Sequence, residues 1–151
     1  MDDRDDLAMP FLLMAAFRNL VDAVHAELAE QGHPGVRASH GFAMQAIGQG
    51  CTSVELGERL GVSKQAAAKT VTALEAMGLV RRDPDERDGR QKLVVPTPAG
   101  RRMLGLSAQA FRAQLAGWRQ QVGDDRVDAT LATLAAVASG GRSRTDLSDW
   151  A

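Results

Sequence analysis

The residues best suited to chemistry lie on one side of a helix predicted from Lys64 to Met77. An amide side chain such as Gln65 can hydrogen-bond to adenine at two points, and a lysine can reach guanine or phosphate. Three consecutive alanines, at 66–68, leave room for close approach to a DNA groove, where a methyl group can touch thymine. This face therefore predicts contacts with double-stranded DNA from Lys64, Gln65, Ala66, Ala68, Lys69 and Thr72.

The segment before this helix predicts the first half of a helix-turn-helix, a short helix over Val54–Leu60 followed by a turn at Gly61. Glycine suits that turn because it tolerates a positive φ. The start and stop signals are a capping box at Thr52 and Glu55, a competing cap at Ser53, a second cap at Ser63 and a helix-ending Gly78. The residues expected to clamp the two helices together are Leu56, Leu60, Val62, Ala67, Val71 and Leu74.

The segment after this helix predicts a β-hairpin. Residues 79–82 form a short, partly β-branched segment, and residues 93–95 are β-branched again. The charged, turn-rich stretch 83–90 separates the two segments. Pro96 and Pro98 end the second strand, and a new helix is expected to begin near Ala99.

Long helices are predicted on both sides of this unit. Residues 7–29 carry an apolar stripe of Phe17, Val21, Val24 and Leu28, widened by neighbouring leucines, and a shorter helix is expected over 39–47. Helical sequence resumes over 101–138, with a break near Gly123. The N-terminal stripe is wider than one neighbouring helix covers, so burial by a partner chain is a natural solution; packing within one chain is the alternative.

Composition fits one globular domain whose basic residues are concentrated in the centre. The 151 residues have a net charge of −1, but residues 52–102 carry 10 Lys/Arg and 7 Asp/Glu, whereas residues 1–51 carry 3 and 7. The acidic start is unlike a secretory signal, and we expect no apolar run near the ~18 residues that span a bilayer. One cysteine, Cys51, fits a reducing compartment, so the chain is expected in the cytoplasm and away from membranes.

Enzymatic function is not expected, because the sequence has no phosphate-binding glycine loop, nucleophile elbow or paired histidines on one helical turn. No cofactor and no metal are predicted, since His25, His33 and His40 lie on different elements. Cys51 is interpreted as structural or incidental rather than as a redox switch, because nothing local in the sequence clearly lowers its pKa.

Three sequence blocks from Thr52 to Gly100 together resemble the MarR family of winged helix-turn-helix transcriptional regulators. Glu55–Ser63 is similar to the first half of that family's helix-turn-helix, and Leu74–Arg82 to the exit from its recognition helix. Asp88-Gly89-Arg90 and Val95–Gly100 resemble its wing and the return to helix. The resemblance implies a mainly α fold with a small β-hairpin wing, a winged helix-turn-helix lobe, and N- and C-terminal dimerisation helices.

The resemblance also implies roles for the wing. An arginine near the tip, here Arg90, would enter the minor groove, steadied by the aspartate two residues before it, here Asp88. A guanidinium suits that groove because the groove concentrates negative potential. Solvent-exposed pairing of the two residues is the alternative. The wider contact set comprises the recognition-helix residues, Thr52, Ser53 and Ser63 near the caps, and Arg81, Arg82, Arg87 and Lys92 on phosphates.

The family plan gives the chain one domain, 1–139, with dimerisation helices at 7–31 and 101–139, the DNA-binding lobe at 39–100, and a mobile tail at 140–151. A repressor released from a pseudo-palindromic operator by a small effector is expected. The effector would be aromatic or anionic, and the candidate lining residues are Phe11, Phe17, His25, His40, Met44 and Trp118. Core packing is the other reading of the Phe, Met and Trp residues. A winged-helix module that binds protein rather than DNA is the alternative function. Three departures from the family pattern are Gly57, Gly89 and Pro96, where alanine, arginine and leucine are common.

Overall fold

A computed structural model describes residues 3–139, with side chains described for residues 6–138. Within that range the chain forms six helices and three short strands: α1 (Asp3–Glu30), α2 (Ala38–Ile47), β1 (Cys51–Thr52), α3 (Ser53–Leu60), α4 (Lys64–Ala76), β2 (Val80–Pro84), β3 (Lys92–Pro96), α5 (Pro98–Val122) and α6 (Asp124–Ser139). The predicted fold class, mainly α with a hairpin wing, is confirmed. The tail predicted over 140–151 lies outside the described residues.

The predicted caps form the helix-turn-helix. Thr52 Oγ1 accepts the Glu55 amide (3.2 Å), and the Thr52 amide donates to Glu55 Oε2 (2.9 Å), which completes the capping box. Gly61 ends α3 with φ 71°, a conformation open to glycine at little steric cost. Ser63 Oγ then accepts the Ala66 amide (3.1 Å) and starts α4.

The inner sides of α3 and α4 form part of one core. Leu56, Ala67, Val71 and Leu74 are fully buried, as the apolar spacing predicts. The core continues into α1 through Leu28 and into the sheet and α5. Leu60 and Val62, also expected at the clamp, are partly buried against the same cluster. The polar side of α4 is therefore left facing outward.

Gly57 explains one departure from the family pattern. It is buried where α3 meets the turn, and a Cβ at this position would lie 3.1 Å from the Val62 carbonyl oxygen. The Val62 amide donates to the Gly57 carbonyl at 2.9 Å. The glycine thus permits a closer turn than alanine would.

The wing belongs to a three-stranded antiparallel sheet with the order β1-β3-β2. Strand β2 pairs with β3 from Val80↔Pro96 to Pro84↔Lys92, and β1 pairs with β3 at Cys51↔Val94. The third strand, β1, was not predicted, because two residues carry no detectable alternation. It ties the start of α3 to the base of the wing.

The junction between wing and α5 is close-packed. The Thr97 amide donates to the Leu79 carbonyl (3.0 Å), and Thr97 Oγ1 donates to the Gly78 carbonyl (2.6 Å) while accepting the Gly100 amide (3.1 Å). A Cβ at Gly100 would overlap the Leu79 carbonyl oxygen. The first turn of α5 therefore fixes how the wing leaves the core.

The two long flanking helices pack on each other, and α5 breaks at Gly123 as predicted, with φ 94°. Arg119 clips the break by donating to Asp124 (3.3 Å) and Asp128 (2.6 Å). These two carboxylates raise the pKa of Arg119, the hydrogen bond to Asp128 having the larger effect.

The expectation of no bilayer-length apolar run was wrong. By length and composition alone, Asp6–Glu30 of α1 is long and apolar enough to cross a membrane. Core helices of soluble proteins can be equally long and apolar. Here Val21, Val24 and Leu28 on α1 are buried within the fold, but most of the helix surface is exposed.

Candidate nucleic-acid interface

The outer side of α4 carries the predicted base-reading residues in an accessible row. Lys64, Gln65, Ala66, Lys69 and Thr72 are exposed, and Ala68 is partly exposed. Because α4 is anchored by its buried side, these side chains are presented on a rigid helix. Their role in DNA binding remains a prediction, and the geometry is compatible with entry into a major groove.

The three predicted contacts near the caps differ in accessibility. Ser63 is exposed at the start of α4, and Ser53 is partly buried. Thr52 is 5% exposed, and its hydroxyl accepts the Glu55 amide. The Thr52 hydroxyl therefore positions α3, and the contact of Thr52 with DNA stays a prediction.

The basic residues of β2 already have carboxylate neighbours. Arg81 Nε donates to Asp83 Oδ1 at 3.0 Å on the same strand. Arg82 Nη2 donates to Thr72 Oγ1 (3.1 Å), and its Nε lies 3.9 Å from Glu75 Oε2, so it reaches across to α4. These arginines are placed beside the predicted reading face, but each is partly neutralised in the free protein.

At the wing tip Asp88 organises backbone rather than a guanidinium. Its Oδ1 accepts the Arg90 amide at 3.0 Å, and its carbonyl accepts the Gln91 amide at 3.0 Å, which closes a turn. Arg90 is exposed. The expected support of the Arg90 side chain by Asp88 is therefore replaced by support of the Arg90 main chain.

A second Asp-x-Arg pair has the side-chain contact that was expected of Asp88 and Arg90. Asp85 Oδ1 accepts both the amide (3.0 Å) and Nε (3.3 Å) of Arg87. The side chain of Asp85 is 6% exposed, whereas that of Arg87 is 72% exposed. The Arg87 amide, followed by the Arg87 side chain, lowers the pKa of Asp85 against an opposing effect of burial. An ionised, shielded carboxylate thus aims an accessible guanidinium outward.

Asp85 was not among the residues predicted from the sequence, although a signal was present. Asp85-Glu86-Arg87 and Asp88-Gly89-Arg90 have the same Asp-x-Arg spacing, so spacing could not separate them. The structure separates them by burial, because Asp85 is enclosed and Asp88 is exposed. Lys92, at the start of β3, is exposed beside this loop.

The six candidate effector residues do not meet at one site. Phe17 and Trp118 line a cavity of about 690 Å³ between α1, α5 and α6, and His25 lines a separate pocket of about 40 Å³ between α1, α2 and α5. Phe11 is 68% exposed, and Met44 is fully buried in the core. His40 caps α2 by accepting the Arg37 amide (3.1 Å). In the single chain these residues therefore line no common cavity, and their grouping into one effector pocket stays a prediction.

An aromatic wall separates the two cavities. Phe17 faces the larger one and stacks on Phe42, which lines the smaller one, with ring centroids 6.2 Å apart. Phe42 was not among the residues predicted from the sequence. The smaller pocket has room for only about two or three water molecules.

The two titratable groups with altered pKa near these elements are His40 and Cys51. Burial and the nearby Arg37 lower the pKa of His40. Burial raises the pKa of Cys51, which outweighs the opposing effect of Arg59, so the thiol is not activated. Among the described residues no three His, Cys, Asp or Glu side chains are grouped for metal binding.

The segment that carries this candidate interface is similar to a known protein family. Residues 42–91, which span α2, α3, α4 and most of the wing, match the model of the MarR family. The resemblance to the MarR family is confirmed. No curated protein is similar to the chain in sequence at a significant level.

Solved MarR-like structures share the fold over most of the chain. A MarR family protein from Bacillus stearothermophilus has a TM-score of 0.73 and 18% identity, covering 93% of this chain and 97% of its own. A MarR family transcriptional regulator from a Rhodococcus species has a TM-score of 0.69 and 24% identity, covering 93% of this chain and 98% of its own. A mutant MarR from E. coli complexed with operator DNA has a TM-score of 0.67 and 20% identity, covering 91% of this chain and 99% of its own. At these identities the likeness establishes the fold.

Proposed function

We propose that the chain is a sequence-specific double-stranded DNA-binding transcriptional regulator that acts as a homodimer in the cytoplasm. The observation that carries this proposal is the outward face of α4, which is polar and accessible while its opposite face is fully buried. The wing beside it presents Arg87, Arg90 and Lys92 to solvent. The operator complex of the MarR-like neighbour supports the same use of the fold.

The recognition helix reads bases and the wing holds the backbone and minor groove in this proposal. Gln65 and Lys69 lie on the face that would enter the major groove. Arg87, supported by Asp85, is the minor-groove residue, because its guanidinium is both aimed and accessible. This assignment replaces Arg90 in that role and leaves Arg90 on the neighbouring phosphates.

Dimerisation is proposed through α1, α5 and α6. Large apolar side chains remain exposed at the start of α1 and along α6: Leu7, Met9, Phe11, Leu12, Leu13, Leu131, Leu134 and Val137. The cavity between α1, α5 and α6 is lined mostly by apolar groups and opens beside both surfaces. A second copy that covers them would also supply the second recognition helix that a pseudo-palindromic operator needs. The domain division at 7–31, 39–100 and 101–139 follows from this proposal.

Repression with release by a small aromatic or anionic effector is the regulatory part of the proposal. The Phe17–Phe42 stack joins a dimerisation helix to α2 of the lobe, so a ligand that displaced it would alter the spacing of the recognition helices. The effector releases the operator only to the extent that it binds more tightly to the dimer with the altered spacing of recognition helices than to the dimer with the spacing that fits DNA.

Selection of bound sequences from random duplex DNA tests the proposal. A pseudo-palindrome is expected, and Gln65→Ala should relax preference at one position per half-site, with Gln109→Ala on α5 as the matched control. Roughly ten phosphate contacts per dimer give a slope of about −9 for the logarithm of affinity against the logarithm of salt concentration. Recovery of no preferred sequence, with affinity equal for all duplexes, would favour the protein-binding alternative.

A further inference from the structure

Arg82 is held between the wing and the recognition helix by two groups of α4. Its Nη2 donates to Thr72 Oγ1 at 3.1 Å, and its Nε lies 3.9 Å from Glu75 Oε2. Thr72 and Glu75 are three residues apart on α4 and therefore neighbours on its surface. The planar guanidinium has donors enough to meet both at once.

Glu75 is unusual on this helix because it is the one acidic residue among the 13 of α4. A carboxylate beside a surface that meets phosphates opposes binding through like-charge repulsion and also neutralises the arginine it faces. The side chains of Arg82 and Glu75 are 35% and 44% exposed. The pair is therefore accessible to ions and can exchange with phosphate.

The Arg82 contact differs from the other arginine pair of β2. Arg81 and Asp83 are two residues apart on one strand, so their pairing fixes no relation between elements. Arg82, in contrast, joins β2 to α4 and contacts a hydroxyl on the predicted reading face. Thr72 Oγ1 also donates to the Ala68 carbonyl (3.0 Å), so its hydroxyl is held from both sides.

We propose that Glu75 is a specificity-determining positioning residue that withholds Arg82 from sequence-independent phosphate binding and aims it at Thr72. This inference rests on the proposed DNA-binding function. Sequence-independent affinity depends on the number of cations that displace counterions from DNA, and each cation withheld lowers it. Operator affinity gains from an ordered Thr72 hydroxyl, which offsets the withheld cation. Glu75 therefore widens the gap between operator and random DNA.

Glu75→Gln in the full-length protein tests this role, with Glu30→Gln at the end of α1 as a control for the same change in net charge. Affinities for the selected operator and for a scrambled duplex are measured by fluorescence anisotropy across a salt series. Glu75→Gln should raise affinity for scrambled DNA about two- to fivefold per protomer. Its salt slope should steepen by about 0.9 per protomer. Operator affinity should change less than about twofold, so the specificity ratio falls.

Two further variants distinguish positioning from charge alone. Arg82→Lys keeps the charge but loses the fork that spans both partners, and it should lower the specificity ratio as Glu75→Gln does. Thr72→Val should weaken operator binding and leave scrambled-duplex affinity unchanged. Thermal unfolding confirms that each surface variant is folded.

The outcomes separate this inference from the function on which it rests. If wild-type protein prefers the operator but Glu75→Gln behaves like Glu30→Gln, the role of Glu75 is refuted and the regulator proposal stands. If wild-type protein shows no preference for any duplex, the regulator proposal fails and the inference fails with it. A fall in the specificity ratio for Glu75→Gln and Arg82→Lys, with no such fall for Glu30→Gln, supports the role.

Discussion

A methyl group at Gly100 would disturb the packing of α5 against the segment that leads into strand β2 of the wing. The added Cβ would overlap the Leu79 carbonyl oxygen and lie 3.0 Å from Met44 Cε. Overpacking against other side chains costs about 1–3 kcal/mol, and here the main obstacle is backbone. The same carbonyl accepts the Thr97 amide, so that hydrogen bond, worth about 1 kcal/mol, would also weaken. Alanine recovers up to about 1 kcal/mol through helix propensity.

We therefore expect Gly100→Ala to lower the free energy of unfolding by about 3 kcal/mol, measured by urea denaturation with an unchanged m-value. Gly105→Ala on the same helix is the matched control, since a Cβ added there would have no atom within 4 Å. It should raise the unfolding free energy by about 0.5–1 kcal/mol. If the unfolding free energy changed with the same sign and size in both variants, the close approach of α5 to the Leu79 carbonyl, just before β2, would be refuted.

Three further predictions concern the wing and α2. Arg87→Ala should weaken operator binding by about 1–3 kcal/mol. It should lower the unfolding free energy by no more than about 1 kcal/mol, because the guanidinium that pairs with Asp85 is itself exposed. A larger loss of operator binding in Arg90→Ala by gel shift would contradict the assignment to Arg87. Gly89→Arg should leave stability unchanged, because no atom lies within 4 Å of the new Cβ, and should steepen the salt slope by about 0.9 per added contact. The pKa of His40 is lowered from 6.5, so its contribution to stability is present above that value and is lost as pH falls below it. Unfolding free energy measured from pH 7.5 to 5 should decline less in His40→Gln, and an equal decline in both proteins would contradict this.

The helix-turn-helix could be predicted because its signals are local. The capping box at Thr52 and Glu55, the left-handed Gly61 and the Ser63 cap each act within four residues, and all formed as predicted. Strand β1 could not be predicted, because two residues become a strand only through pairing with β3, about forty positions later. Propensity carries no information about such distant pairing.

The wing tip shows where sequence spacing is ambiguous. Two Asp-x-Arg repeats stand next to each other, and only the path of the loop decides which aspartate is enclosed. The Asp85 amide donates to the Gln91 carbonyl at 3.3 Å, which places Asp85 at the base of the loop. Asp88 lies at the tip, where its side chain can reach backbone but is not enclosed.

The effector candidates lie apart in the single chain for a different reason. They were chosen by residue type, and residue type does not say which side of a helix faces which neighbour. Phe17 and His25 lie on the same helix but line different cavities. Met44 was a suitable pocket residue by chemistry, yet its position on α2 puts it in the core.

The proposed dimer would account for the apolar character of α1 without a lipid bilayer. Val24 and Leu28 in its C-terminal half are 1% exposed within the lobe, whereas Leu7 and Phe11 near its start are 73% and 68% exposed. A membrane-spanning helix needs no such division, because lipid would cover all its sides equally. A helix that serves an internal core at one end and a partner chain at the other needs apolar residues along its whole length. Such a helix is as long and apolar as one that crosses a membrane, although it need not enter one. The apolar residues that make α1 resemble a membrane span are therefore the same residues that the dimer proposal uses.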